Sequence, residues 1–119
     1  MIAYTVVAEF DDAELLKQWL DWLKNGHLAD VCASGAIDAE AIALDSVSSG
    51  GRTVYRGEAR YHFATREDFA AYERHHAPRL RAEGLRRFPT ERGVRYRRAV
   101  AEVVAAVSAS GVRRQSPAG

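Results

Sequence analysis

The chain has 119 residues, a formal net charge of +1 and 47% apolar residues, enough for one globular domain with its own core. The single cysteine, Cys32, excludes an intramolecular disulfide and any all-cysteine metal site, and fits a reducing, cytoplasmic setting. No apolar run reaches the ~18 residues of a membrane span, and Met1-Ile2-Ala3-Tyr4-Thr5 shows no basic region before an apolar run, so neither a membrane partner nor a secretion signal is expected.

Ile2 to Phe10 alternates, with Ile2, Tyr4, Val6, Ala8 and Phe10 on one face, which predicts a strand. Asp11, three residues before Glu14, has the capping-box spacing of a helix start. Leu15, Leu16, Trp19, Leu20, Trp22 and Leu23 then recur at three and four, giving a broad buried stripe. Asn25-Gly26 is a stop signal, since glycine readily takes the left-handed conformation after a last turn. His27 follows on that turn, and Leu28 to Ser34 is expected to add one or two helical turns closed by Gly35.

Ile37 to Leu44 is alanine-rich and fits strand or helix. The Ser48-Ser49-Gly50-Gly51 turn and the alternating run Thr53 to Phe63 decide for the first arm of a hairpin. Tyr55, Gly57, Ala59, Tyr61 and Phe63 share one face of the second arm; Val54, Arg56, Glu58, Arg60 and His62 share the other. Thr65 with Asp68 caps a further helix that turns Phe69, Tyr72 and Leu80 inward, and Pro78 either opens a new segment or kinks that helix. In a last strand Val94, Tyr96, Arg98 and Val100 alternate with Arg95, Arg97 and Ala99. Residues 1–104 form the expected domain, and 105–119 a C-terminal extension disordered at its end.

The order β-α-β-β-α-β predicts an α+β, ferredoxin-like fold: a four-stranded antiparallel sheet with helices on one face. The open face would carry Glu40, Arg56, Glu58, Arg60, His62, Arg95 and Arg97, either solvated or paired across a two-fold axis. A homodimer through that face is the expected assembly. Charge is uneven along the chain. Residues 1–59 hold four basic residues against ten acids, a balance of −6, and residues 60–119 hold thirteen arginines against six acids, a balance of +7. Such asymmetry can mark anion or nucleic-acid binding, but no nucleic-acid motif accompanies it, so nucleic acid is not an expected partner.

His27 is the chief chemical candidate, because its position after a helix end can reach a pocket mouth and its pKa responds to modest changes of environment. It reads equally as a favourable cation at a helix C-terminus. Asp30, three residues on, can orient His27 or cap the short helix. Tyr4, Trp22 and Tyr61 either line an apolar cavity or fill the core, and His76 either faces that cavity or fixes the break before Ala77-Pro78. Adjacent His75 and His76 diverge by ~100° on a helix and cannot share a metal as an i, i+4 pair does, so no metal site or cofactor is expected. Cys32 reads as a buried structural thiol before a nucleophile. Arg79, Arg81, Arg86 and Arg87 form a solvated face or receive an anionic ligand.

Trp19 and Trp22, His27, Asp30-Val31, Gly35, the hairpin, Tyr72, His76-Ala77-Pro78, Leu80-Arg81, Phe88 and an arginine-bearing final strand together resemble the DUF4286 family over residues 1–103. That family is similar in plan to the dimeric α+β barrel superfamily. The resemblance implies a ferredoxin-like protomer whose sheet packs against that of a second copy. It also implies a pocket between sheet and helices, as in cofactor-free antibiotic-biosynthesis monooxygenases, EthD-like proteins and some polyketide cyclases. It implies no reaction. Gly26 departs from the family pattern, which more often has an acidic residue there, so His27 lacks that orienting neighbour. The expected protein is a homodimer that binds a small, partly aromatic molecule through Tyr4, Trp22, Asp30, Tyr61 and His76; whether it is an enzyme is left open, and if it is one, monooxygenase- or cyclase-like, His27 is the proton-transfer group. The alternative is a non-catalytic interaction or sensing module with a solid core around Trp19, Trp22 and Tyr61.

Overall fold

A computed structural model describes residues 1–109. Strand β1 (Ile2–Phe10) leads into helix α1 (Ala13–Trp22), a wide π-type turn (Leu23–His27) and helix α2 (Leu28–Ala33). The hairpin of β2 (Asp38–Ser49) and β3 (Arg52–Phe63) follows, then α3 (Arg66–His75), α4 (Ala77–Arg87), a 3-10 turn (Thr90–Arg92) and β4 (Arg95–Glu102). The strands pair antiparallel in the order β2-β3-β1-β4. This is the ferredoxin-like βαββαβ arrangement, with each helical crossover broken in two.

Local chemistry explains the breaks. Asp12, rather than Asp11, caps α1, its carboxylate accepting the Glu14 N–H at 3.0 Å. Asp11 is engaged elsewhere: Arg52 and Arg95 donate to it at 3.1 and 3.3 Å and hold its carboxyl below the usual range. Thr65 caps α3 through the Asp68 N–H at 3.0 Å. Pro78 lies in the first turn of α4, where its missing N–H costs nothing, so the chain breaks at His76. Asn25-Gly26 breaks the first crossover, as the stop signal predicts: both residues leave helical φ/ψ, and the short helix α2 follows. Gly26 has φ 161° and ψ −39°, outside the left-handed region, and the Leu28 N–H bonds the Leu23 carbonyl in a widened turn that runs on into α2.

β2 is longer than its alternation suggests, because the register shifts between Leu44 and Val47. Asp45 and Ser46 form a bulge there, and Arg56 closes it by donating to the Asp45 carbonyl from Nη2 at 2.8 Å and Nε at 3.2 Å. Gly50 and Gly51 both have positive φ (61° and 76°), as a two-residue hairpin turn requires.

The core lies between the sheet and the helices. Ile2, Tyr4, Phe10, Tyr61 and Phe63 point into it from the strands, and Leu15, Trp19, Leu23, Tyr72 and Leu80 meet them from the helices. On the opposite face Arg56, Glu58 and Arg60 follow one another along β3, as the alternation predicts. Glu58 is only 7% exposed in the single chain, lying between Val7 and Ile42 and accepting from Arg60 at 2.8 Å. Arg97 reaches Glu9 at 3.2 Å, and His62 pairs with Asp38 at 2.7 Å. Of the expected C-terminal extension, residues 110–119 lie outside the described residues; within it Val107 is 87% exposed. Among the described residues no helix is long and apolar enough to cross a membrane.

Candidate functional site

The widened turn after α1 carries a consequence for chemistry. It brings His27 over Trp22, and the two rings stack with centroids 4.1 Å apart and planes at 23°. Phe88 tilts against Trp22 at 5.6 Å. Trp22 lies directly on α4 because Gly84 has no side chain there: a Cβ at that position would stand 3.1 Å from the indole. The Trp22–His27 pair forms a wall. On its outer side is a polar groove with Asp21, Asn25, Asp30, Glu83 and Arg87; on its inner side a pocket opens between the sheet and α1 and α4.

Tyr4, Val6, Tyr61, Tyr96 and Arg98 line the inner pocket from the sheet, and Trp19, Trp22, His27, Leu80, Arg81 and Leu85 from the helices. The concavity is partly open to solvent, and the space in it that a water-sized sphere can reach is about 60 Å³. An apolar cavity of ~150 Å³ is needed to take up a benzene ring. A ring-sized guest must therefore displace side chains at the mouth, where Arg81 is one-third exposed and Leu85 43% exposed.

The electrostatics of the pocket follow from burial. His27 Nδ1 is buried with no hydrogen-bond partner among the described residues. Desolvation lowers the His27 pKa below its ordinary 6.5, partly opposed by the charges of Asp30 and Glu83, so the imidazole is neutral at pH 7. Burial raises the Tyr72 and Tyr96 phenols to about 12 and pushes Tyr61 higher still. Tyr96 donates to the Phe88 carbonyl at 2.6 Å, while Tyr4 accepts from Arg98 at 3.1 Å and Arg81 at 3.4 Å. Cys32 is half-buried with its thiol pKa raised by burial and by Asp38, the opposite of an activated nucleophile.

A pH effect on stability follows. The unfolded chain takes up a proton at His27 as pH falls through about 6.5, while the folded chain does not until a lower pH. Stability is therefore lost as pH falls below that value. The urea midpoint is expected to drop between about pH 7.5 and 5.5, and His27→Phe, which keeps a ring on Trp22, should reduce that drop. An identical pH dependence in the variant contradicts the assignment.

Four of the residues singled out in the sequence, Tyr4, Trp22, His27 and Tyr61, converge on the inner pocket. Asp30 lines the outer groove instead. His76 is in neither: it joins α3 to α4, donating its N–H to the Tyr72 carbonyl at 2.9 Å and accepting from the Leu80 N–H at 3.2 Å. Sequence reasoning left out Arg98 and Tyr96 as site residues. Their signal was the alternation of β4, which puts both on the helix-facing side. Among the described residues no group of three or more His, Cys, Asp or Glu could hold a metal ion.

Residues 1–103 match the family model of DUF4286, a domain of unknown function. The chain belongs to the DUF4286 family. Among solved structures, the DUF4286 chain is similar to two described as dimeric ferredoxin-like proteins from an uncultured marine organism. The first is 16% identical with a TM-score of 0.63, covering 89% of this chain and 97% of that one. The second is 12% identical with a TM-score of 0.63, covering 90% and 97%. At these identities the likeness establishes the fold of the DUF4286 chain alone. A search of curated proteins finds no match to it.

Proposed function

We propose that this protein is a homodimeric, cytoplasmic member of the dimeric α+β barrel group that binds a small, partly aromatic molecule between its sheet and helices. The observation that carries the reading is the pocket itself. Tyr4, Trp19, Trp22, His27 and Tyr61 line one concavity that opens between the sheet and the helices. The tyrosine and tryptophan rings offer flat apolar walls with polar tips, suited to an aromatic guest carrying a few polar groups.

Dimerisation through the open face of the sheet is supported by the buried Glu58 and the alternating Arg56-Glu58-Arg60 row, and by the dimeric description of both similar structures. Light scattering at micromolar concentration is expected to give about twice the 13.2 kDa chain mass; a single chain mass contradicts it. Small aromatic probes are expected to change the fluorescence of Trp19 and Trp22 saturably, and a panel without any saturable response rejects the ligand-binding reading.

A catalytic reading of the same pocket is favoured by one further observation, the neutral His27 with its unpartnered Nδ1. A neutral imidazole in an apolar wall can accept a proton from a bound substrate without a cofactor. In that case His27→Ala abolishes turnover and leaves the fold intact, and unchanged turnover removes His27 from the mechanism.

A further inference from the structure

Arg98 lies on the helix-facing side of β4 at the open edge of the pocket, and it is exposed. On β4 the side chains of Tyr96 and Val100 turn toward the helices, and Arg98 stands between them, in register with Val6 of β1. Its Nε donates to the phenol oxygen of Tyr4 at 3.1 Å. Arg81 reaches the same oxygen from α4, its Nη2 lying 3.4 Å from Tyr4 Oη and 2.8 Å from Glu73 Oε2.

Two guanidinium groups thus converge on one phenol oxygen, Arg81 being paired with Glu73 as well. An anion arriving at that oxygen meets both positive charges. The outward-facing arginines of the same strand differ: Arg95 and Arg97 both lie against acids, Glu9 and Asp11. Among the described residues of β4, Arg98 has no acid against it.

The donor inventory fits an incoming ligand. A guanidinium has five N–H groups in a planar fork. Among the described residues Arg98 uses only its Nε–H, which leaves both Nη groups for an acceptor. Tyr4 Oη already accepts twice, so its own O–H remains to donate outward. The neighbouring phenols stay neutral and supply no anion of their own.

We propose that the pocket is selective for a small aromatic carboxylate, its ring inserted among Trp22, Tyr61 and Tyr96 and its carboxylate held at the mouth by Arg98, Arg81 and the Tyr4 hydroxyl. This rests on the small-molecule reading of the pocket. The planar fork of a guanidinium matches the two oxygens of a carboxylate, and the aromatic walls match a flat ring.

The test is a pair of isosteric probes, 4-hydroxybenzoate and 4-hydroxybenzamide, titrated calorimetrically into the full chain at one fixed ionic strength. The carboxylate is expected to bind about tenfold or more tightly, the scale of charge-assisted hydrogen bonds. Arg98→Gln should narrow the ratio to about twofold, and Arg98→Lys, which keeps the charge and the stem but loses the fork, should fall between. Equal affinity of the two probes in the unmodified chain overturns the carboxylate inference and leaves the pocket standing. So does a ratio that survives Arg98→Gln and Arg81→Gln in variants with unchanged denaturation midpoints. Tighter binding of phenyl phosphate than of 4-hydroxybenzoate overturns the carboxylate assignment. Saturable binding of none of the three overturns both this inference and the reading it rests on.

Discussion

Phe63→Ala is expected to destabilise the fold by about 3–5 kcal/mol, the scale for removing a buried phenylalanine. Phe63 is fully buried, at 0% exposure. Its ring meets Phe69 edge-on at 5.2 Å and Tyr72 at 5.1 Å, and Tyr4 continues the cluster from β1 with Phe69 5.2 Å away. Phe63 also pairs with Ile2 across the sheet and contacts Gly35, which closes α2. One side chain therefore ties β1, β3, α3 and the end of the first crossover together, and no neighbouring element can collapse into its space alone. Against a typical total of ~5–15 kcal/mol, the loss takes a large part of the stability. It should appear as a lower urea midpoint with unchanged denaturant dependence. A loss under about 1 kcal/mol contradicts this packing.

Gly57→Ala sets two effects against each other. Replacing a strand glycine gains about 0.5–1 kcal/mol, because the unfolded chain has less freedom to lose. Gly57, however, is where α1 touches the sheet. A Cβ there would lie 2.9 Å from both Leu16 Cδ1 and Trp19 Cζ3, and 3.2 Å from Trp19 Cε3. The Leu16 methyl can swing aside. The Trp19 indole cannot, being 3% exposed and set against Phe10 at 5.8 Å. Overpacking of this kind costs about 1–3 kcal/mol, which outweighs the gain. The variant is expected to melt lower and to shift the emission of Trp19, which also lines the pocket. A melting temperature equal to or above that of the parent chain shows that α1 does not approach the sheet so closely.

The strands and the hairpin were legible in the sequence because their burial has period two and their turn is a glycine pair. The break at His76-Ala77-Pro78 was legible because proline fits only a first turn. The break at Asn25-Gly26, with a short helix after it, was legible from the end-of-helix signal. What that signal does not record is that the Leu28 N–H reaches Leu23 across the kink and that His27 comes to lie over Trp22. The second half of β2 was hidden by the bulge at Asp45-Ser46, whose exposed carbonyl is satisfied only by an arginine of the facing strand.

The aromatic part of the site could be read from residue type and face: Tyr4, Trp22 and Tyr61. Its charged part was legible only in fragments. Arg81 stood among the arginines that could receive an anionic ligand, and Arg98 was an arginine on the helix-facing side of an alternating strand. Their meeting at Tyr4, from 77 and 94 residues away, is a convergence no local pattern records. His76 and Asp30 were attractive by sequence neighbourhood, but one is occupied in joining two helices and the other lies across the Trp22–His27 wall.

The most direct measurement is a chemical-shift map of the chain titrated with 4-hydroxybenzoate. Saturable shifts are expected at Tyr4, Tyr61, Arg81, Tyr96 and Arg98 and at the indole N–H groups of both tryptophans. The outer groove around Gln18, Asn25 and Arg92 should be little affected. Shifts confined to that groove, or none that saturate, contradict a ligand site between sheet and helices.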